Sequence, residues 1–185
     1  INDVNVDPVV IINGLSKNWR CPGLRIGWVV GPESIIEKVS SVGSFLDGGA
    51  SHPIQEKAID ILNLSRIKKD TLMIQRVFEK KRDYMLTTLK NLGIVIDFEP
   101  QSTFYIWGDV RDLPSPINDS MSFFEECLKE QVIVVPGVFF DVNPGKRRLG
   151  KHSRYNTFIR FSFGPDMESI KVGLESIRRV INKFV

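Results

Sequence analysis

Two short apolar runs, Val9 to Ile12 and Ile26 to Val30, flank a turn-rich loop, and this pattern constrains the fold more than any other stretch. The continuous run Val9-Val10-Ile11-Ile12 suits a strand covered on both faces, as in a parallel sheet. The loop from Asn13 to Leu24 contains Gly14, Pro22 and Gly23, and Arg25 to Val30 reads as a second buried strand stopped by Gly31-Pro32. Lys17 lies just after the first strand, at the sheet edge where α/β proteins place ligands. Arg25 opens the second strand, and the Pro22-Gly23 turn can fold the loop back so that both cations converge on one ligand. Spacing alone leaves open a plainer reading, two solvated charges flanking a sheet edge. An unpaired arginine inside an apolar strand is costly, however, and wants an anion.

Downstream the pattern changes. Pro32 suits the first turn of a helix running to about Ser44, with Ile35, Ile36, Val39 and Val42 on one face. Asp47 to Pro53 breaks the period, and a helix resumes over Ile54 to Leu64. From Ser65 to Leu92 a long periodic segment, closed by Gly93, has the length of a helix that leaves one domain and enters the next. Short strands are predicted at Ile94 to Asp97, Phe104 to Gly108, Val132 to Val135 and Thr157 to Phe163. Helices are predicted over Asp119 to Glu130 and Asp166 to Phe184, which makes an α+β pattern with helices on one face of a small sheet. The boundary between the two patterns falls near residue 65.

Composition removes several function classes. A formal charge of +3 is too mild a surplus for a nucleic-acid surface. No apolar run approaches the roughly 20 residues that span a membrane, and the acidic first residues lack the basic flank of a signal peptide. Cys21 and Cys127 are the only cysteines and form no CxxC, so a reducing, cytoplasmic compartment is the default. His52 and His152 are far apart in sequence and read as unrelated rather than as a metal pair; no metal site is expected. Lys146-Arg147-Arg148 with Lys151-His152-Arg154 reads as a solvated basic loop. The chain starts with Ile and runs almost directly into a strand, a start that reads as a cut.

Ser16-Lys17 followed by Pro22-Gly23-Leu24-Arg25-Ile26-Gly27-Trp28 resembles the cofactor-attachment segment of class I/II (fold type I) aminotransferases, which use pyridoxal 5'-phosphate (PLP). Trp19, two after the lysine, and the Pro-Gly before Leu24 most resemble the branch of tyrosine and alanine aminotransferases. Later landmarks match in order. Ser51-His52-Pro53 resembles the family's Ser-Asn-Pro turn near the dimer interface, with His in place of Asn. Ser102 to Trp107 resembles a small-domain strand, Val135 to Phe140 the Pro-Gly-x-x-Phe segment, and Phe158 to Phe163 the strand that carries a substrate-binding arginine.

The resemblance implies an α/β fold: residues 1–64 as the end of the large, parallel-sheet PLP-binding domain, and residues 65–185 as the small α+β domain. It implies that Lys17 forms the Schiff base with the cofactor and shuttles the proton, which requires a neutral amine. Arg25 would grip the cofactor phosphate with its planar fork, Ser16 would touch the same phosphate, and Arg160 would pair with the substrate α-carboxylate. Read without the family, a plainer but less favoured reading of Arg160 is an ordinary strand-edge arginine bonded to an acidic helix cap. Gly14 occupies a position where many members carry a phosphate-binding serine, so one expected hydroxyl is absent or replaced. Trp19 is expected to pack in the core or on the surface rather than against the cofactor.

Asp47 stands where members specific for dicarboxylates have an arginine, four before the serine of the turn. A carboxylate there would repel an acidic side chain, giving a neutral, aromatic or basic amino donor; a different loop path would instead leave Asp47 facing water. The family's other cofactor contacts, including the aspartate on the ring nitrogen and the tyrosine on the phenolate, belong to sequence before residue 1. The expectation is that these 185 residues alone bind PLP weakly and do not transaminate, expose apolar surface, and associate. Amino acids and 2-oxo acids are the expected partners, and the full-length protein is expected to be a homodimer. A PLP-dependent lyase, cyclase or decarboxylase would use the same cations, and an aminotransferase-like regulatory module is a further alternative.

Overall fold

A tight pair of strands anchors the first unit of the chain. In the computed structural model, which describes residues 2–143 and 153–185, contacts divide the chain into Ile1–Met73 and Ile74–Val185. In the first unit β1 (Ile11–Gly14) pairs with β2 (Gly27–Val30). The pairing is antiparallel, with Ile11 opposite Val30 and Gly14 opposite Gly27, which corrects the expectation of parallel, fully covered strands. A parallel return needs a crossover, usually a helix; the segment between these strands holds only a 3₁₀ turn at Pro22–Leu24. Both strands are largely exposed among the described residues, Ile12 at 79%.

Helix α1 (Glu33–Leu46) follows and buries none of its residues. Its predicted apolar stripe is present but uncovered: Ile35, Val39 and Val42 are exposed, and Phe45 is 91% exposed. Helix α2 (His52–Ile61) begins after Ser51, with Pro53 in its first turn, where a missing N–H costs nothing. Its Ala58 joins Leu15 and Ile26 in a small core, flanked by Trp19, Leu24, Trp28, Ile54 and Ile61. Helix α3 (Leu64–Asn91) is one continuous element that contributes residues to both units.

The second unit is built on a three-stranded antiparallel sheet in the order β3-β5-β4, with β3 at Tyr105–Asp109, β4 at Val135–Pro136 and β5 at Phe158–Ser162. Helix α4 (Ser120–Lys129) is capped by Asp119, which accepts from the N–H groups of Met121 and Ser122. Helix α5 (Met167–Asn182) is capped by Asp166, whose carboxyl is held below its usual range by the hydroxyl and N–H of Ser169. Apolar residues at helical spacing on α5, Ile170, Leu174, Ile177 and Ile181, meet Met85, Leu86 and Leu89 of α3, Phe123 of α4, and Ile106, Ile159 and Phe161 of the sheet.

Two predicted strands are shorter than expected. Ile94 to Asp97 contributes one bridge, Val95 with Asp109, and the chain then bends away. Of the predicted Val132 to Val135 only Val135 is strand, paired with Arg160, and Pro136, paired with Ile159, is the last residue of β4. Phe123 is fully buried where α4 meets the sheet, in ring contact with Phe161. Phe123→Ala is expected to destabilise this unit by about 3–5 kcal/mol, read by chemical denaturation; a change under ~1 kcal/mol would mean that the core closes over the gap.

Candidate active site

The hairpin ladder does not stop at the last paired residues of β1 and β2. The Leu15 N–H donates to the Ile26 carbonyl at 3.0 Å, and the Cys21 N–H donates to the Leu15 carbonyl at 3.0 Å. Both Leu15 and Ile26 are buried. The loop is therefore pinned at its base by two apolar side chains, and its polar residues emerge from one mouth. Ser16 follows Leu15 on one side, Arg25 precedes Ile26 on the other, and Lys17 is exposed on the turn that starts there. Ser16 and Arg25 thus occupy the next register position beyond the last hydrogen-bonded pair.

Arg25 departs from its expected setting. It precedes β2, is exposed, and has φ 54° and ψ 40°, the left-handed region. The charge is solvated and not buried in a strand, and the backbone carries the strain instead. A left-handed arginine costs roughly 1–2 kcal/mol, and such strain gathers where a ligand dictates the backbone. Its Nη1 donates to the Pro22 carbonyl at 2.7 Å, folding the guanidinium over the 3₁₀ turn; the fork retains other donors for an anion.

Gly14 has a physical explanation. A Cβ at this position would sit 2.7 Å from the Ile26 carbonyl oxygen and 3.0 Å from the Gly27 Cα. A serine cannot enter here without parting the strands, so the hydroxyl expected at this position has no place. Trp19 packs edge-on against Trp28 with centroids 5.6 Å apart, as a core residue would. Asp47 ends α1, is exposed, and accepts from the Gly49 N–H at 2.9 Å, so its carboxylate already shapes its own loop. His52 lies 4.0 Å from Glu56 on α2, and His152 lies outside the described residues, as do Lys146, Arg147, Arg148 and Lys151 of the basic loop.

Arg160 belongs to the second unit, on the central strand β5, paired with Trp107 and Val135. Its neighbours Ile159 and Phe161 point into the core, which leaves Arg160 on the opposite face. No acidic helix cap holds it: among the described residues no carboxylate lies within ion-pair distance. Its guanidinium carbon instead lies 4.1 Å from the centre of the Tyr105 ring and 4.5 Å from that of Phe140. Its Nε is buried and has no hydrogen-bond partner among the described residues. Tyr105 and Phe140 lie in segments that the sequence marks, yet nothing in their spacing predicts that they meet Arg160.

Burial pushes the Cys127 thiol up to about 12, so it packs as an apolar group. Cys21 is half-buried and donates to the Trp19 carbonyl. No helix among the described residues is long and apolar enough to cross a membrane.

The residues on the pinned loop suit an anionic aldehyde cofactor. Lys17 carries an amine on the exposed turn, Ser16 a hydroxyl next to it in the chain, and Arg25 a guanidinium with further donors at the facing register position. Gly14→Ser is expected to lower stability by about 1–3 kcal/mol through overpacking, measured by denaturant unfolding. Unchanged stability would mean that the strands part freely at this point.

A family model described as aminotransferase class I and II matches residues 2–177. A (5-formylfuran-3-yl)methyl phosphate transaminase of Methanocaldococcus jannaschii is 28% identical over 181 residues, covering 98% of this chain and 44% of that protein. An uncharacterised HTH-type transcriptional regulator of Bacillus subtilis is 31% identical over 163 residues, covering 86% of this chain and 31% of the regulator. The solved structure of an aromatic aminotransferase from Pyrococcus horikoshii superposes with a TM-score of 0.79 at 26% identity, covering 94% of this chain and 43% of that one. The chain spans less than half the length of the relatives it matches. Its fold is that of a fragment of the fold type I aminotransferases, mixed helix and sheet, and the chain belongs to the aminotransferase class I and II family.

Proposed function

We propose that this chain supplies the lysine loop and the carboxylate-binding strand of a PLP-dependent aminotransferase acting on an amino acid and a 2-oxo acid. The observation that carries this reading is the pinned loop, with Lys17 exposed at its mouth and Arg25 held in a left-handed conformation on the opposite side. PLP, when bound, supplies an aldehyde for the amine and an electron-withdrawing ring that acidifies the α-proton of the amino acid. Lys17 Nζ holds the cofactor and then carries that proton. Arg25 takes the phosphate through its in-plane donors, with the Ser16 hydroxyl as a second contact. Arg160 takes the α-carboxylate, and its unpartnered Nε supports that role. From its place in the sequence, Asp47 favours a neutral, aromatic or basic donor, while its carboxylate also closes the turn to Gly49.

Finer points rest on narrower ground. Trp19 and Pro22-Gly23 favour the tyrosine and alanine aminotransferase branch. The uncovered apolar residues of β1 and α1 support a larger assembly, a homodimer in the full-length protein. Two free cysteines suit a reducing cytoplasm. The domain division follows the small-domain reading, with residues 65–185 as the small domain. A second reading, a regulatory module that keeps the fold, is favoured by the likeness to the Bacillus regulator.

In the full-length gene product, Lys17→Ala is expected to lower transamination at least ~10³-fold. Arg25→Gln is expected to raise the PLP concentration needed for half-saturation about 10- to 100-fold, the loss of a charge-assisted hydrogen bond. Formation of 2-oxo acid and pyridoxamine phosphate is the assay. PLP binding with neither product would favour the regulatory reading, and full activity in Lys17→Ala would refute the assignment.

A further inference from the structure

We propose that Tyr105 and Phe140 are positioning residues for Arg160, holding its guanidinium against their ring faces so that its donors keep one orientation toward a carboxylate; this rests on reading Arg160 as the residue that takes the substrate carboxylate. The guanidinium carbon is 4.1 Å from one ring centre and 4.5 Å from the other. All five donors of an arginine lie in its plane, and its faces accept and donate nothing. Contact with both rings fixes the direction of that plane, and the buried Nε, which finds no partner among the described residues, is one of the donors in it.

The rings are held in turn. Tyr105 tilts against Phe104 with centroids 4.3 Å apart. Phe140 stands edge-on to Trp107 at 5.7 Å, and Trp107 stacks on Phe158 at 5.5 Å. Phe140 ends the 3₁₀ turn Gly137–Phe140, which lies close to the segment that leads into β5. A Cβ on Gly137 would sit 2.6 Å from the Tyr155 carbonyl oxygen and 2.8 Å from that of Phe158. Glycine therefore lets the turn lie flat enough to bring Phe140 over Arg160, and the Pro-Gly-x-x-Phe segment serves the arginine.

The benefit is pre-organisation. A free arginine loses rotamer freedom when it binds a carboxylate, whereas a clamped one has lost it already. If the rings merely covered the stem of Arg160, removing one would alter stability and leave carboxylate binding unchanged.

The test uses the 185-residue chain, isotope-labelled, with 3-phenylpropionate as the probe carboxylate and the Arg160 Nε–H resonance as the readout. Ring currents are expected to move that resonance upfield, and the probe to move it downfield as a charge-assisted hydrogen bond forms. Phe140→Leu and Tyr105→Leu, two variants in case one fails to fold, are expected to abolish the upfield position and weaken probe binding about tenfold. Phe140→Tyr and Tyr105→Phe, which keep a ring, are expected to bind within about twofold of wild type. A folded Phe140→Leu chain that binds the probe as tightly as wild type overturns the clamp and leaves the carboxylate role of Arg160 intact. A wild-type Arg160 resonance that does not respond to the probe overturns both.

Discussion

Strand β5 turns Ile159 and Phe161 into the core and leaves Arg160 on the other face, and the second unit is organised around that alternation. The buried residues fix the register, because a slip by one residue would put Arg160 among Ile106, Phe123 and Ile177. The core is thus what holds the arginine in place. A charge on a sheet face costs little while its head stays hydrated, but here the guanidinium packs against two rings and Nε is buried with no partner among the described residues. An unsatisfied buried donor costs roughly 1–3 kcal/mol, an expense that a returning carboxylate would offset.

The first unit solves the converse problem. Its charges are exposed, and the backbone holds them in position. Leu15 and Ile26 bury themselves on either side of the hairpin end, and the hydrogen bond between them closes the loop base. Gly14 permits the close approach of the strands. The Ser16, Lys17 and Arg25 positions follow from that closure, and the left-handed Arg25 marks where the chain must turn sharply into β2.

Much of this was legible in the residues. Helical spacing locates α3 and α5 closely, because periodicity is local. The antiparallel pairing of β1 with β2 is not legible: a continuous apolar run looks the same in parallel and antiparallel settings, and burial cannot be read from a run whose covering elements lie elsewhere. The same ambiguity puts Arg25 in a strand. The loop residues Ser16, Lys17 and Arg25 were found through motif spacing, yet the grip of Tyr105 and Phe140 on Arg160 was not, since it joins three segments distant in sequence. Asp47 shows the limit of counting along a loop: its carboxylate is engaged by the Gly49 N–H, a local turn that sequence position does not reveal.

Each unit is proposed to hold one anion: the cofactor phosphate on the Lys17 and Arg25 loop, the substrate carboxylate on Arg160. The most direct test is a crystal structure of the full-length gene product grown with PLP and an unreactive carboxylate. Expected are the cofactor's aldehyde carbon bonded to Lys17 Nζ, its phosphate on Arg25, and the carboxylate on Arg160. A cofactor joined to a different lysine, or a carboxylate bound away from Arg160, would contradict this.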